Sequence, residues 1–157
     1  TAANAGAAIR GLGLSTHRPG AILCPGAEYG PAKRWPTEHF ITLAQRFIDS
    51  GYVVWLLGSP NDRVAADPIA AAISEVRNIC GRTDLGTAID LLATASVVVS
   101  NDSGLMHAAA AVGRPLVALF GSSSPDYTPP LSELARVAPI DIVCSPCFRL
   151  ECPPGPF

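Results

Sequence analysis

The sequence has little charge of either sign, hardly any lysine and no long apolar run. Its 157 residues include 11 Lys or Arg and 13 Asp or Glu, for a formal net charge of −2. Charged residues make up 15% of the chain, against roughly 25% in an average soluble domain. This balance excludes a disordered chain. The basic residues are scattered, so no nucleic-acid partner is predicted. No apolar run reaches the roughly 18 residues of a membrane span.

The chain also lacks the pattern of a signal peptide, a basic start followed by an apolar stretch and a cleavage site. Its five cysteines are an odd count, which argues against a secreted disulfide scaffold. We therefore expect a reducing, cytoplasmic location. The sequence begins with Thr1 rather than methionine, which leads us to expect a fragment or a processed chain.

Apolar bursts alternate with helical stretches along the rest of the chain. Strands are predicted over 21–24, 52–57, 76–80, 95–100, 115–120 and 136–143. Helices are predicted from Thr37, which is expected to cap the first of them, to residue 48, from 61 or 62 to 73, after Asp84, and over 104–112. Strands that are apolar throughout and separated by helices indicate a doubly wound, Rossmann-like α/β domain with a parallel sheet. We assign this domain to 21–143, a linker or incoming helix to 1–20, and a cysteine-containing tail to 144–157.

The loop after the first predicted strand, 25–36, contains the only lysine of the chain, Lys33. Parallel sheets of this type bind ligands beyond the carboxyl ends of their strands. A compact ammonium group in a loop rich in glycine and proline suits a phosphate or a hydroxyl-rich ligand. The alternative is a solvated lysine beside a turn.

A second segment, 100–107, reads Ser-Asn-Asp-Ser-Gly-Leu-Met-His and leads from a strand into a helix. The free N–H groups and the dipole of a helix start attract an anion, and Gly104 lets a phosphate approach the backbone. His107 follows one turn later, on the face shared with Ser103 and Gly104. We favour phosphate binding here; the alternative is capping by Asp102 or Ser103, with His107 an interior histidine.

Three further segments give weaker signals. The loop 120–130, rich in serine and proline, either lines a ligand or only turns the chain. Residues 81–84 end the third strand and are placed to flank a base or a ribose. Cys144 and Cys147 have the spacing of a zinc knuckle, and Cys152 suits a third ligand. A redox pair and unpaired thiols are the alternatives for these cysteines.

Taken together, the segments 24–36, 101–107 and 114–130 resemble those of the ADP-heptose:lipopolysaccharide heptosyltransferases, glycosyltransferase family 9, with the nearest likeness to the heptosyltransferase II branch. The resemblance covers about 21 to 136. It implies a two-domain GT-B architecture of which this chain is the C-terminal, donor-binding half. The implied reaction is inverting transfer of heptose from ADP-L-glycero-D-manno-heptose to the inner core of lipopolysaccharide, without a metal or another cofactor.

The resemblance also implies roles for individual residues. Lys33 would contact the phosphates and sugar of the donor and offset charge on the departing ADP, a catalytic role. Asp102 would hold heptose hydroxyls or order the turn, and Ser103, Gly104 and His107 would hold the diphosphate. The remaining donor contacts would be Thr83 through its backbone to adenine, Asp62 to the ribose, and Glu28 and Tyr29 to the phosphates.

One catalytic group of that family is absent from this sequence. Its acceptor-activating aspartate belongs to the N-terminal domain, and inverting transfer needs such a base across the interdomain cleft. We therefore expect this chain to bind the nucleotide sugar, and transfer only in a full-length protein, which would meet the acceptor and the inner membrane peripherally. The alternatives are a stand-alone nucleotide-binding module with a zinc-binding cysteine tail, and another GT-B enzyme such as a nucleotide-sugar epimerase.

Overall fold

The computed structural model describes residues 1–28, 30–139 and 144–151. Its helices are α1 (Ala2–Gly11), α2 (Thr37–Asp49), α3 (Arg63–Ala72), α4 (Leu85–Leu92) and α5 (Gly104–Ala111). Its strands are β1 (Gly20–Cys24), β2 (Val53–Leu56), β3 (Arg77–Asn78), β4 (Val97–Asn101), β5 (Leu116–Phe120) and β6 (Ala135–Pro139). Single 3-10 turns occupy Pro31–Lys33 and Pro60–Asp62.

The six strands form one sheet in the order β3-β2-β1-β4-β5-β6. Every neighbouring pair is parallel. This is the strand order of a doubly wound nucleotide-binding fold, so the predicted fold class is confirmed. The order reverses between β1 and β4, and the loops that leave these two strands therefore diverge at the carboxyl edge and open a crevice there.

The core consists of two apolar layers, one on each face of the sheet. One layer joins Ile22, Leu91 and Met106 and carries the partly buried residues of α1. The other joins Leu23 and Phe40 with side chains of α2 and α3. Because successive residues of a strand point to opposite faces, β1 supplies both layers and is buried from Ala21 to Cys24.

Several element bounds differ from those predicted. Residues 1–20, predicted as a linker or an incoming helix, contain α1, which packs against α4. Thr37 is the first residue of α2 and does not cap it; Pro36 precedes the helix, and no side chain of the described residues bonds there. The third strand covers only Arg77–Asn78, whereas 76–80 was predicted. The helix α3 runs on past Pro68 to Ala72.

The last predicted strand, 136–143, corresponds to β6, which begins one residue earlier. Its predicted end, 140–143, lies outside the described residues. Over the described part of the chain, none of the helices has the length and apolar character needed to cross a bilayer.

Candidate functional site

A cavity of about 490 Å³ opens at the carboxyl edge of the sheet. It lies between the loops that follow β1, β2 and β3 and the first turns of α4 and α5. This is the point at which the strand order reverses, where open α/β sheets bind their ligands. Five of the predicted site residues line it: Glu28, Asp62, Thr83, Ser103 and Gly104.

The amino end of α5 reaches this cavity without a side-chain cap. Ser103 occupies the cap position, and within the described residues no side chain accepts a bond from the first turn. A Cβ atom built on Gly104 would meet nothing within 4 Å. The capping predicted as the alternative for Asp102 or Ser103 is therefore wrong, because Asp102 has other partners. The uncapped N–H groups and the helix dipole make this end attractive to an anion.

Beside the start of α5, Lys33 forms an ion pair with Asp102. The Lys33 Nζ lies 2.9 Å from Asp102 Oδ2, and the two side chains are 18% and 4% exposed. Only Ser103 separates Asp102 from Gly104 in the chain, so the ammonium group is next to the helix start. Neither Lys33 nor Asp102 lines the cavity itself. Ser103, the residue after Asp102, does line the cavity, so the ion pair adjoins it at the start of α5.

The loop that carries Lys33 is fixed by one buried amide. Asn101 Nδ2 donates to the carbonyl oxygen of Pro25 at 2.8 Å, and Asn101 Oδ1 accepts from the backbone N–H of Trp35 at 3.0 Å. A single side chain at the end of β4 thus holds both ends of the loop after β1. No role was predicted for Asn101, because a contact between positions 76 residues apart in the chain leaves no local signal in the sequence.

Two hydroxyl groups from the loop after β5 complete the surroundings of Asp102. Ser123 Oγ donates to Asp102 Oδ2 at 2.5 Å, and Thr128 Oγ1 donates to Oδ1 at 3.5 Å. Burial of an ionised carboxylate requires such partners. The loop 120–130 was singled out from its hydroxyl content after a strand, and the structure connects it to Asp102; the roles of Ser123 and Thr128 had not been predicted.

Asp62 lies at the other end of the cavity. Its side chain is buried, and Oδ2 accepts the backbone N–H of Ser59 at 2.8 Å. A Cβ atom on Gly26 would lie 2.0 Å from Asp62 Oδ1, and one on Gly58 would lie 2.6 Å from Oδ2. The two glycines therefore make room for the carboxylate, which the turn at Pro60–Asp62 presents toward the cavity.

The remaining predicted donor contacts are placed as follows. Thr83 is half-buried in the cavity wall, next to Asp84, which caps α4 by accepting the N–H of Thr87 at 2.7 Å. Because of that bond, the pKa of Asp84 is below its usual value. Tyr29 lies outside the described residues. His107 is exposed on α5 and is not among the cavity residues, so the alternative of an interior histidine is wrong; its diphosphate contact stays a prediction.

The cysteines divide into two groups. Cys24 and Cys80 are buried and free; burial is the main reason that the pKa of the Cys24 thiol is raised and that of Cys80 rises to about 12. Cys144 and Cys147 are free and half-buried. Cys152 lies outside the described residues. Within the described ranges no three His, Cys, Asp or Glu side chains are grouped to hold a metal ion, so the zinc site stays an untested prediction.

The known proteins to which this chain is similar include several heptosyltransferases. The chain is 54% identical over 129 residues to the lipopolysaccharide heptosyltransferase 2 of Escherichia coli strain K12, covering 79% of this chain and 37% of the relative. A solved structure, that of the E. coli ADP-heptose lps heptosyltransferase II, superposes with a TM-score of 0.85 at 49% identity, covering 88% of this chain and 43% of that one. The E. coli heptosyltransferase WaaC with ADP superposes with a TM-score of 0.72 at 28% identity, covering 80% and 39%.

The chain thus spans well under half the length of these relatives. The family model described as glycosyltransferase family 9 (heptosyltransferase) matches residues 2–157. The resemblance noted in the segments around Lys33 and Gly104 is confirmed, and the chain belongs to glycosyltransferase family 9, the heptosyltransferases.

Proposed function

We propose that this chain is the C-terminal, donor-binding half of an ADP-heptose:lipopolysaccharide heptosyltransferase of the heptosyltransferase II type. One observation carries the proposal. The uncapped start of α5 lines a cavity on one side, with the Lys33–Asp102 ion pair next to it in the chain, and the buried Asp62 and half-buried Thr83 line the same cavity from the loops after β2 and β3. That spacing of cationic and polar groups suits a nucleoside diphosphate with a sugar attached.

The nucleotide end of the donor fits the wall formed by the loops after β2 and β3. Leu57, Leu85 and Ile89 supply apolar surface for a base, as is usual in ligand pockets. The backbone beside Thr83 offers hydrogen-bonding groups to the adenine edge. The Asp62 carboxylate accepts a ribose hydroxyl, since it already lines the cavity and its geometry is fixed by Ser59.

The diphosphate fits the opposite end. The first N–H groups of α5 donate to phosphate oxygens, with Ser103 beside them and His107 one turn further along the helix. Lys33 approaches from the neighbouring loop. Glu28 follows β1 and lines the cavity; the negative charge of its carboxylate makes a direct contact with phosphate unfavourable. The phosphate contact predicted for Tyr29 stays a prediction.

In the transfer step the acceptor hydroxyl oxygen bonds to C1 of the heptose from the face opposite the nucleotide. The bond between C1 and the phosphate oxygen breaks, and the electron pair leaves with ADP. Lys33 and the α5 dipole stabilise the charge that grows on the departing diphosphate, so no metal is invoked. Asp102 holds Lys33 in place and accepts from heptose hydroxyls. The acceptor proton passes to a base that we assign to an N-terminal domain.

The names of the relatives support this assignment. Two E. coli proteins similar to this chain are heptosyltransferases for lipopolysaccharide, and the WaaC structures hold ADP and ADP-2-deoxy-2-fluoro heptose. We propose the same donor class here, with the lipopolysaccharide inner core as acceptor, bound through the N-terminal domain. The site of action would be the cytoplasmic face of the inner membrane.

Isothermal titration calorimetry with ADP, UDP and NAD tests the proposal on this chain joined to its N-terminal domain. We expect ADP to bind and UDP and NAD to bind at least tenfold more weakly, about 1.4 kcal/mol, with ADP binding weakened in Lys33→Ala. Preference for UDP would favour a nucleotide-sugar epimerase. Stoichiometric zinc by elemental analysis with no nucleotide binding would favour a zinc-bearing module instead.

A further inference from the structure

The segment 144–151, which we call the tail segment, crosses two loops at the border of the site. The backbone N–H of Ala32 donates to the carbonyl oxygen of Leu150 at 3.0 Å. The backbone N–H of Phe148 donates to Ser122 O at 2.6 Å, and Ser145 Oγ donates to Gly121 O at 2.8 Å. The tail segment is therefore bonded both to the loop after β1 and to the loop after β5.

The contact with the loop after β1 is a close approach of two backbones. Gly30 has φ +155°, and a Cβ atom there would lie 2.5 Å from the carbonyl oxygen of Leu150 and 3.1 Å from its Cα. Such a conformation is essentially restricted to glycine. The approach leaves no space for a side chain, so the position of Leu150 and the path of the loop before Lys33 depend on one another.

The two bridged loops carry the groups that meet at one carboxylate oxygen. Lys33 comes from the loop after β1 and Ser123 from the loop after β5, and both donate to Asp102 Oδ2. On the tail side, the Phe148 ring packs edge-on against Tyr127, with ring centroids 5.5 Å apart. The tail segment thus cross-links the two sources of Asp102 partners, while the described tail residues are not among those lining the cavity.

We propose that the tail segment positions the Lys33–Asp102 pair for the transfer step, with Leu150, Phe148 and Ser145 as positioning residues. The proposal rests on the proposed function. A charged group that must stabilise a leaving diphosphate acts best when it is held in place before the reaction. Asp62, Thr83 and Gly104 have no bond to the tail segment among the described contacts. Loosening it should therefore slow the chemical step more than it weakens nucleotide binding, because of the proposed ADP contacts only that of Lys33 depends on the tail segment.

The test compares Gly30→Ala with Gly51→Ala in the full-length enzyme. Gly51 also has a positive φ, +87°, but a Cβ atom there meets nothing within 4 Å, so it controls for a side chain at a positive-φ glycine without the clash with Leu150. We expect kcat of Gly30→Ala to fall by about tenfold or more, because misplacement by 1 Å costs on the order of 100-fold. Its Kd for ADP should rise by a smaller factor than kcat falls, and by less than in Lys33→Ala, because the other proposed ADP contacts keep their places. Gly51→Ala should keep the wild-type kcat.

Ser145→Ala provides a second variant that adds no strain and decides the matter if Gly30→Ala does not fold. Like Gly30→Ala, it should lower kcat. Ser145→Thr keeps the hydroxyl group and should have the wild-type kcat. Equal kcat values for Gly30→Ala and Gly51→Ala, or an ADP affinity that falls as much as kcat, would overturn the positioning role. A wild-type enzyme that neither binds ADP nor transfers heptose would overturn the proposed function itself.

Discussion

Replacing Gly104 by alanine separates the stability of the fold from the binding of a phosphate. Gly104 is the first residue of α5, and the space around it is open, since an added Cβ meets no protein atom within 4 Å. The new methyl group would instead stand at the exposed backbone where we place the diphosphate. The protein gains a better helix former, and the ligand loses its closest approach.

Gly104→Ala should raise the stability of the fold and lower its affinity for ADP. Glycine replaced by alanine at a compatible position stabilises by about 0.4–1 kcal/mol, which for a chain of this size raises Tm by roughly 1–4 °C. A phosphate held about 1 Å further from the N–H groups loses hydrogen bonds to a charged group, each worth about 1.5–3 kcal/mol. We therefore expect ADP to bind at least tenfold more weakly to a protein that is at least as stable as the wild type.

Differential scanning fluorimetry gives Tm, and calorimetry gives the Kd for ADP. Gly11→Ala is the matched control, because Gly11 lies in α1, has open space around it and is not a cavity residue. It should gain similar stability and keep the wild-type affinity. If Gly104→Ala binds ADP as tightly as Gly11→Ala does, the diphosphate does not sit at the start of α5 and the reasoning fails.

Three further predictions concern packing and charge. Gly26→Ala should lower the free energy of unfolding by about 1–3 kcal/mol, because its methyl group overlaps Asp62; an unchanged urea midpoint would contradict this. Lys33→Met leaves Asp102 buried without its cation and should cost about 3 kcal/mol, part of which Asp102→Asn in the same chain should restore without restoring transfer. The pKa of Cys80 is raised from 9.0 to about 12, so the folded protein holds a proton that the unfolded chain releases. This contribution is complete below pH 9 and is lost as the pH rises toward 12, and urea titrations of Cys80→Ala should show a weaker decline over that range.

The sheet could be predicted from the sequence because its signal is local. β1, β4 and β5 are apolar runs bounded by turns, and their burial on both faces follows from the helices between them. The strand β3 was predicted too long because the apolar residues on either side of it, Val76 and Ile79, enter the core, whereas the strand itself covers only Arg77 and Asn78. Threonine is common at helix caps, so Thr37 was expected to cap α2. In the structure Pro36 holds the cap position and Thr37 is already the first helical residue.

Only those parts of the site that have a local signal in the sequence could be predicted. Lys33 and the start of α5 were recognisable as strand-end features, whereas the partners of Asp102 were not. Ser123 and Lys33 are 21 and 69 positions from Asp102 in the chain, and only the order of the strands brings them together. Capping of α5 by Asp102 or Ser103, the alternative to phosphate binding, rested on residue type alone, and in the structure Asp102 pairs with the ammonium group instead. Local preference gives way where a buried charge needs a partner.

The carboxylate of Asp62 occupies the volume that side chains at Gly26 and Gly58 would fill, and these glycines belong to two different loops. The three positions therefore cannot vary independently: a larger group at either glycine excludes an acid at 62, and a smaller residue at 62 leaves a void that a methyl group could fill. A replacement of Asp62 therefore requires matched changes at Gly26 and Gly58, since each single substitution introduces a steric overlap or a cavity.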